Sequence, residues 1–268
     1  ESYLRAYKQL REQHVRIINH SWGIPQTLTT VEQLDAALQT RRAGLGGIFG
    51  KMSLDGGLLQ VWAAGNSRNN PSPEAAPFAD SMATLPRVMP ELEPYWLSVV
   101  NVDENLRLGS NSSRCGYSMN WCVAAPGTRI TSTVVEAEID VKNRYDEEGE
   151  VNGFDVLADR PTFDYASTTG TSMAAPHASG ALGLLMERFP YLSNPQLRDV
   201  LLTTAQDLGA PGVDEIYGWG LIDLKKAIDG PGQLRVDTTV AMNRRAGGAV
   251  VWQGGAWDDW HNDISGPG

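Results

Sequence analysis

A serine set among small residues is the strongest chemical signal in the chain. Residues 170–177 read GTSMAAPH, which offers Ser172 as a nucleophile. Gly170 permits a tight approach before the serine, and Pro176 suits a helix only within its first turn. The pattern predicts that Ser172 lies at the start of a helix. There, free N–H groups and the helix dipole favour the negative charge that develops during acyl transfer.

Two apolar segments upstream end in glycine and polar residues. Residues 17–23 read IINHSWG and residues 61–66 read VWAAGN. Asn66 follows a glycine where the apolar run stops, so its amide can reach toward a developing oxyanion, although it could also simply cap a turn. With the serine octet, these segments resemble the subtilisin-like serine proteases in the same chain order. Residues 217–223, YGWGLID, resemble the end of that domain, so the resemblance covers roughly residues 1–230.

The resemblance implies a fold, a reaction and a set of residues. The fold is α/β, with three layers and a mostly parallel central sheet. The reaction is hydrolysis of peptide bonds in protein or peptide substrates, with Ser172 as nucleophile and Asn66 in the oxyanion hole. Extended substrate backbone would pair with residues 21–23, and the substrate side chains would lie against Trp22 and residues 63–65. The implied substrate-binding residues are Ser21, Trp22, Gly23, Ala63, Ala64 and Gly65, with Trp22 alternatively an ordinary core residue.

The general base of such a protease is missing from the sequence. Subtilases order their triad Asp, His, Ser, and the resemblance places the first two before the Ser-Trp-Gly strand. No segment like Asp-Thr-Gly or His-Gly-Thr-His occurs. We expect the N-terminal part of the fold, with an Asp-His pair, to come from an N-terminal fragment outside these 268 residues, which alone would be inactive. The alternative is a catalytically inactive surface or adhesion domain with a protease fold.

None of the four histidines is expected to replace that base. His177 lies five residues after Ser172, about 140° around a helix. Structural or surface roles are expected for the other three, His14, His20 and His261. A Ser, Asp, His order would suit an α/β-hydrolase, with His261 as base and an acid chosen from Asp199, Asp207 and Asp223. However, Ala174 stands where the nucleophile elbow requires glycine.

Charge excludes some partners. The net charge of −10 disfavours binding to nucleic acid or anionic membranes, and no apolar run reaches 18 residues. Residues 136–164 hold ten acidic against three basic side chains, which predicts an acidic, solvated surface loop. A Ca²⁺-binding or substrate-steering loop is the alternative, although residues 146–148 lack the ligand spacing of an EF-hand. We expect no cofactor apart from this calcium alternative.

The two cysteines indicate an oxidising compartment. Cys115 and Cys122 are separated by six residues rich in Gly, Ser and Asn, so the loop between them closes easily. We expect a disulfide worth about 2 kcal/mol on the loop-entropy model. Two free thiols or half a metal site are the alternatives, but there is no third cysteine and no flanking histidine for zinc.

Alternating elements predict a parallel sheet covered on both faces. The predicted elements are a helix over 1–14, strands over 15–20, 58–64 and 95–102, and helices over 172–188 and 194–205. The near-continuous apolar strands indicate a sheet buried on both faces. The helix over 172–188 is apolar nearly all round, so we expect it to be the buried central helix.

Helix starts are marked by capping residues. Thr29 or Thr30 is expected to cap a further helix, with Glu32 or Gln33 completing a capping box. Asn194, followed by a proline, is expected to be the N-cap of the helix over 194–205.

The last residues differ from the rest. Residues 235–240, RVDTTV, and 260–266, WHNDISG, resemble the entry to the β-helical stalk of autotransporter passenger proteins. This resemblance implies a protease domain over 1–230 and a linker with the start of the stalk over 231–268. The chain's own C-terminal β-helix and outer-membrane barrel would then be its partners, at the cell surface of a Gram-negative bacterium or secreted from it.

Overall fold

The computed structural model describes residues 12–24, 28–67, 77–137, 140–145, 151–158 and 161–232, together with 5, 8–10, 235, 236, 250 and 251. The chain forms two compact units, residues 1–128 with 169–268, and residues 129–168. Residues 5, 8–10 and 12 are helical, which agrees with the helix expected over 1–14. The rest of residues 1–11 and nearly all of residues 233–268 lie outside the described residues. Of the two segments that predict a stalk, only Arg235 and Val236 are described, as a two-residue strand paired with Val250–Val251.

Four parallel strands form the sheet of the first unit. In spatial order they are β1 (Ile17–His20), β2 (Leu59–Ala63), β3 (Trp96–Val102) and β4 (Cys122–Pro126). Asn19 of β1 is opposite Val61 of β2, which is opposite Leu97 of β3. Every residue of β2 and β3 is buried, as expected for a parallel sheet with both faces covered. The three predicted strands are confirmed, with ends that differ by one or two residues.

Helices lie between and after the strands. They are α1 (Val31–Ala43), α2 (Leu45–Gly56), α3 (Thr171–Arg188), α4 (Asn194–Thr203) and α5 (Leu224–Ala227), with 3-10 turns at Leu85–Arg87, Pro90–Tyr95 and Gly116–Trp121. Among the described residues, none of the helices combines the length and the apolar character needed to cross a membrane.

The predicted helix caps are confirmed at one helix and corrected at another. Thr30 caps α1: its hydroxyl accepts from Gln33 N, and Gln33 Oε1 accepts from Thr30 N. At α4 the N-cap is Ser193, and the prediction of Asn194 was wrong. The Asn194 side chain instead accepts from Arg16 Nε at 2.9 Å and donates to Arg16 O at 3.0 Å. Long-range pairing therefore took the amide away from the cap.

Helix α3 packs against one face of the sheet, and the prediction of a helix buried nearly all round was wrong for its outward side. Its buried side chains are mostly alanine and leucine, and they share one core cluster with β2, β3 and β4. Small side chains let the helix and sheet approach closely. The burial is one-sided, because Leu184 is exposed and a Cβ on Gly180 or Gly183 would meet nothing within 4 Å in the described structure. The opposite face of the sheet packs on an aromatic cluster that includes Phe49, Trp62 and Trp96.

Residues 129–168 form antiparallel strands, so the loop predicted over 136–164 was wrong for the residues described. Strand β5 (Ile130–Ala137) pairs with β8 (Pro161–Thr168), and β6 (Asp140–Tyr145) pairs with β7 (Val151–Ala158). β-branched and aromatic residues recur in these strands, and that propensity outweighed the local charge. The acidic triplet at 146–148 lies outside the described residues.

Candidate active site

Ser172 is the second residue of α3, immediately after the buried Thr171. Met173 N and Ala174 N both donate to the carbonyl of Gly170, which is the N-cap. Ser172 is partly exposed, and its Oγ makes no hydrogen bond within the part of the chain that the structure describes. Ser172 thus lies at the positive end of an 18-residue helix, as the sequence predicts.

Asn66 is held with its donor free. Its Oδ1 accepts from Thr171 N at 3.0 Å and from Thr171 Oγ1 at 3.3 Å. Asn66 is exposed, and Nδ2 has no partner among the described residues. A Cβ on Gly170 would lie 3.4 Å from Asn66 Nδ2, so the absence of a side chain there allows the amide to lie beside the start of α3. The Asn66 amide and Ser172 therefore flank the same helix terminus.

Thr171 is a positioning residue that the sequence reasoning missed. Its Oγ1 accepts from Gly65 N at 3.1 Å and donates to Asn66 Oδ1. One buried hydroxyl thus connects the end of β2 to the start of α3. Gly65 has φ of +101°, a conformation that favours glycine, which turns the chain toward this contact. The signal was present in the sequence as a second hydroxyl next to Ser172.

Residues 21–23, called the first segment from here on, are hydrogen-bonded directly to the main chain of Ser172. Ser21 Oγ donates to the carbonyl oxygen of Ser172 at 2.8 Å and accepts from Asn19 Nδ2 at 2.8 Å. Ser179, two turns further along α3, donates to Asn19 Oδ1 at 3.1 Å. These bonds fix the carboxyl end of β1 against α3. Ser21, predicted to bind substrate, is thus engaged in positioning the main chain of Ser172.

Aromatic and alanine residues occupy the other predicted binding positions. Trp22 is 39% exposed and lies at the edge of the aromatic cluster, 5.2 Å from the Trp62 ring. In the second segment (residues 63–65), the side chains of Ala63 and Ala64 are buried on opposite faces of the sheet. Contact with a ligand in this segment would therefore come from its main chain and from Gly65.

His177 and His20, neither of which is expected from the sequence to act as the base, make other contacts. His177 is exposed, with Nδ1 2.8 Å from Met173 O. His20 is stacked on Trp62 at 3.9 Å, and its Nε2 lies 2.7 Å from Gln60 Oε1. Burial lowers the pKa of His20 to about 4, against the smaller opposing effect of its hydrogen bond to Gln60. His261 lies outside the described residues.

The three acids of the α/β-hydrolase alternative each have a local partner. Asp199 pairs with Arg198, Asp207 accepts from Gly212 N, and Asp223 caps α5. Within the described residues, no group of three or more His, Cys, Asp or Glu side chains could hold a metal ion.

The predicted disulfide between Cys115 and Cys122 is present. Both residues are fully buried. Cys122 is the first residue of β4, so the bond anchors the 3-10 turn at Gly116–Trp121 to the sheet.

Comparisons with known proteins point to one family. The model of the Peptidase_S8 subtilase family matches residues 1–220. An extracellular serine protease of Serratia marcescens is 39% identical over 175 residues, which is 65% of this chain and 16% of that protein. The autotransporter lipoprotein NalP of Neisseria meningitidis serogroup B is 28% identical over 297 residues, covering 98% of this chain and 24% of that protein.

A solved structure has the same fold. Fervidolysin from Fervidobacterium pennivorans, a keratinolytic enzyme related to subtilisin, aligns with a TM-score of 0.54 over 87% of this chain and 30% of that one, at 24% identity. The chain spans about a quarter or less of the length of the two curated relatives above.

Proposed function

The chain belongs to the subtilase family, and on that premise we propose that the whole protein is a serine endopeptidase that forms its acyl-enzyme on Ser172. The observation that carries the proposal is the geometry at the start of α3. Among the described residues, the Ser172 hydroxyl at the helix terminus has no hydrogen-bond partner. Thr171 binds the side-chain carbonyl of Asn66, and the Asn66 amide N–H₂ likewise has no partner there. Neither feature is needed for packing.

The proposed reaction begins with attack of Ser172 Oγ on the carbonyl carbon of a peptide bond. The carbonyl oxygen becomes negative as the C–O bond to the serine forms. Asn66 Nδ2 and the main-chain N–H of Ser172 are the proposed donors to that oxyanion, and the dipole of α3 adds a favourable field. Departure of the amine leaves the acyl-enzyme, which water then hydrolyses. These reaction steps need no cofactor, and calcium binding by residues 136–164 remains a prediction.

A serine needs a base to become a good nucleophile. We propose that an Asp-His pair from an N-terminal fragment outside this sequence supplies the base and orients it. Two surfaces could receive such a segment. Strand β1 has a partner on one side only in the described sheet, and α3 carries the open positions Gly180 and Gly183 beside exposed Leu184.

Protein or peptide substrates are proposed to bind between the two segments in extended form. Both segments follow neighbouring parallel strands, and both are hydrogen-bonded to the first residues of α3 through Ser21 and Gly65. The substrate-binding roles of Ser21, Trp22, Gly23, Ala63, Ala64 and Gly65 belong to this proposal.

A location at the cell surface or outside a Gram-negative cell is proposed from the relatives and the disulfide. One relative is described as extracellular and another as an autotransporter. Disulfides persist mainly in oxidising compartments. The corresponding division is a protease domain over 1–230 and, over 231–268, a linker with the start of a β-helical stalk that leads to an outer-membrane barrel.

The test compares the whole protein with its Ser172→Ala variant on casein. We expect hydrolysis to fall at least about a thousandfold, since loss of the nucleophile removes the acyl-enzyme route. Ser110→Ala, at an exposed turn, is the matched control and should keep the wild-type rate. Equal rates for wild type and Ser172→Ala, or no hydrolysis by the wild type, would favour the inactive surface or adhesion domain.

A further inference from the structure

One carboxylate joins the two segments that flank Ser172. Asp80 Oδ2 accepts from the N–H of Ile24, directly after the first segment, at 3.0 Å. Asp80 N donates to the carbonyl of Ala64, in the second segment, at 2.7 Å. Its Oδ1 accepts from Met82 N at 2.8 Å. Asp80 is therefore fixed between the carboxyl ends of β1 and β2, the two strands whose ends contact the start of α3.

Glycines face Asp80 from both segments. A Cβ on Gly23 would lie 3.1 Å from Asp80 Oδ2, and a Cβ on Gly65 would lie 3.5 Å from Asp80 Cβ. Because neither position carries a side chain, main chain alone lines the carboxylate on these two sides. Asp80 also keeps part of its surface exposed. The carboxylate therefore lies directly against the main chain of both segments, at the positions where they carry no side chain.

The carboxylate has unused capacity for a cationic partner. From the residues that the structure describes, each oxygen accepts one main-chain N–H, whereas a carboxylate offers about four acceptor sites. Within the described residues Asp80 forms no salt bridge. Arg41 exerts a longer-range attraction on it, while the Arg41 Nε donates to Ser81 Oγ. Burial raises the pKa of Asp80, and the N–H bonds from Met82 and Ile24 oppose that effect, so a bound cation would favour the ionised form.

We propose that Asp80 is the specificity-determining residue of this protease and selects substrates with arginine or lysine on the acyl side of the cleaved bond. This inference rests on the proposed function and names its substrate class. The segments around Asp80 are bonded to Ser172 O and to Thr171 Oγ1, next to the nucleophile. We therefore assign the bound side chain to the residue that carries the attacked carbonyl. A guanidinium or ammonium group would donate to the free acceptor sites of Asp80.

A purely structural role for Asp80 makes a different prediction. If the carboxylate only fastened Ile24 and Met82, its loss would lower activity on all substrates alike. Asp80→Asn keeps the shape of the side chain and one acceptor but removes the charge. The pattern of activity across substrates, rather than its level, therefore separates recognition from scaffolding.

The first experiment measures kcat/KM of the whole protein on peptides that differ only in the residue before the cleaved bond: arginine, lysine or leucine. We expect wild type to prefer arginine and lysine by roughly tenfold or more, and Asp80→Asn to lose roughly 10- to 100-fold on these two while leucine changes little. Asp55→Asn, an exposed acid paired with Lys51, removes the same charge elsewhere and should change nothing. No preference in wild type, or an equal loss on all three peptides, would overturn the inference.

A binding measurement separates this inference from the proposed reaction. In the whole protein carrying Ser172→Ala, fluorescence anisotropy of labelled peptides reports affinity without turnover. Tighter binding of the arginine peptide than of the leucine peptide, abolished by adding Asp80→Asn, supports the inference even where no hydrolysis is found. Equal affinities overturn it and leave the serine protease proposal intact.

Discussion

At the scale of single residues, the site depends on how one side chain frees another. The N–H and the hydroxyl of Thr171 both donate to the side-chain carbonyl oxygen of Asn66, and this orients the Asn66 N–H₂ donor. The nucleophile and the amide were predictable because local patterns mark them: glycine, serine and an alanine-rich helix in one case, and a strand ending in Gly-Asn in the other. Asp80 was not predictable, since its bond to Ile24 spans 56 residues and no local pattern signals it.

Replacing Asn66 tests the oxyanion assignment. Asn66→Ala in the whole protein should lower kcat by about 10²–10³, the loss measured for one such donor in a subtilisin, with little change in KM. The donor acts on charge that exists only in the transition state, which is why the effect falls on kcat. Steady-state kinetics on one peptide gives both constants. Asn105→Ala, at an exposed turn, is the control, and an unchanged kcat for Asn66→Ala would assign Asn66 to turn capping alone.

His20 should make stability depend on pH. Its folded pKa of about 4 lies below the ordinary 6.5, so between these values the unfolded chain binds more protons than the native one. The stabilisation is full above pH 6.5 and is lost as pH falls toward 4, by about 3 kcal/mol. Urea unfolding across this range should show a smaller decline for His20→Phe, which keeps an aromatic ring on Trp62. Parallel declines in the two proteins would contradict the role of His20.

At the scale of elements, sequence succeeded where one local interaction dominates and failed where two compete. The capping box of α1 was predicted to within one residue, and the structure assigns it to Thr30 and Gln33. The packing of α3 on the sheet was predicted from its small apolar residues, but the expected burial on all sides was wrong. At α4 the amide of Asn194 is drawn to Arg16, 178 residues away, so Ser193 becomes the cap. Over residues 136–164 the charge suggested a loop, whereas strand propensity prevailed in the residues that the structure describes.

The cap of α1 allows a matched test between adjacent residues. Thr30→Ala should lower the free energy of unfolding by about 1 kcal/mol, because a first-turn N–H loses its acceptor. Thr29 also donates to Gln33 Oε1 but accepts no helix N–H, so Thr29→Ala should cost less than about 0.5 kcal/mol. Calorimetric unfolding of the whole protein gives both values. Equal costs would show that Thr30 is not the dominant cap.

At the scale of the whole molecule, the site forms where three separate parts of the chain meet: the carboxyl ends of β1 and β2 and the start of α3. Parallel order in β1, β2, β3 and β4 follows from alternating strands and helices, so the sequence predicts the sheet class. The sequence does not predict which residues bond to the ends of β1 and β2, because those bonds join residues far apart in the chain. Ser21 and Ser172, for example, are 151 residues apart.

The disulfide is expected to stabilise the fold at the start of β4. Both cysteines are fully buried. Cys122 is the first residue of β4 and lies opposite Ser98 of β3. Replacing both by alanine should lower stability by about 2 kcal/mol, and wild type should lose a similar amount in strong reductant. Thermal unfolding with and without dithiothreitol measures this. A reductant effect that persists in the double variant would place the effect elsewhere.

The central claim is that Ser172 is an activated nucleophile in the whole protein. The most direct measurement is labelling with a fluorophosphonate, followed by digestion and mass spectrometry of the modified peptide. We predict one label per molecule, on Ser172, and none on the Ser172→Ala variant. Peptides from residues preceding Glu1 with Asp and His should be present in the same labelled sample. No label, or a label on another serine, would contradict the assignment of this site as that of a serine endopeptidase.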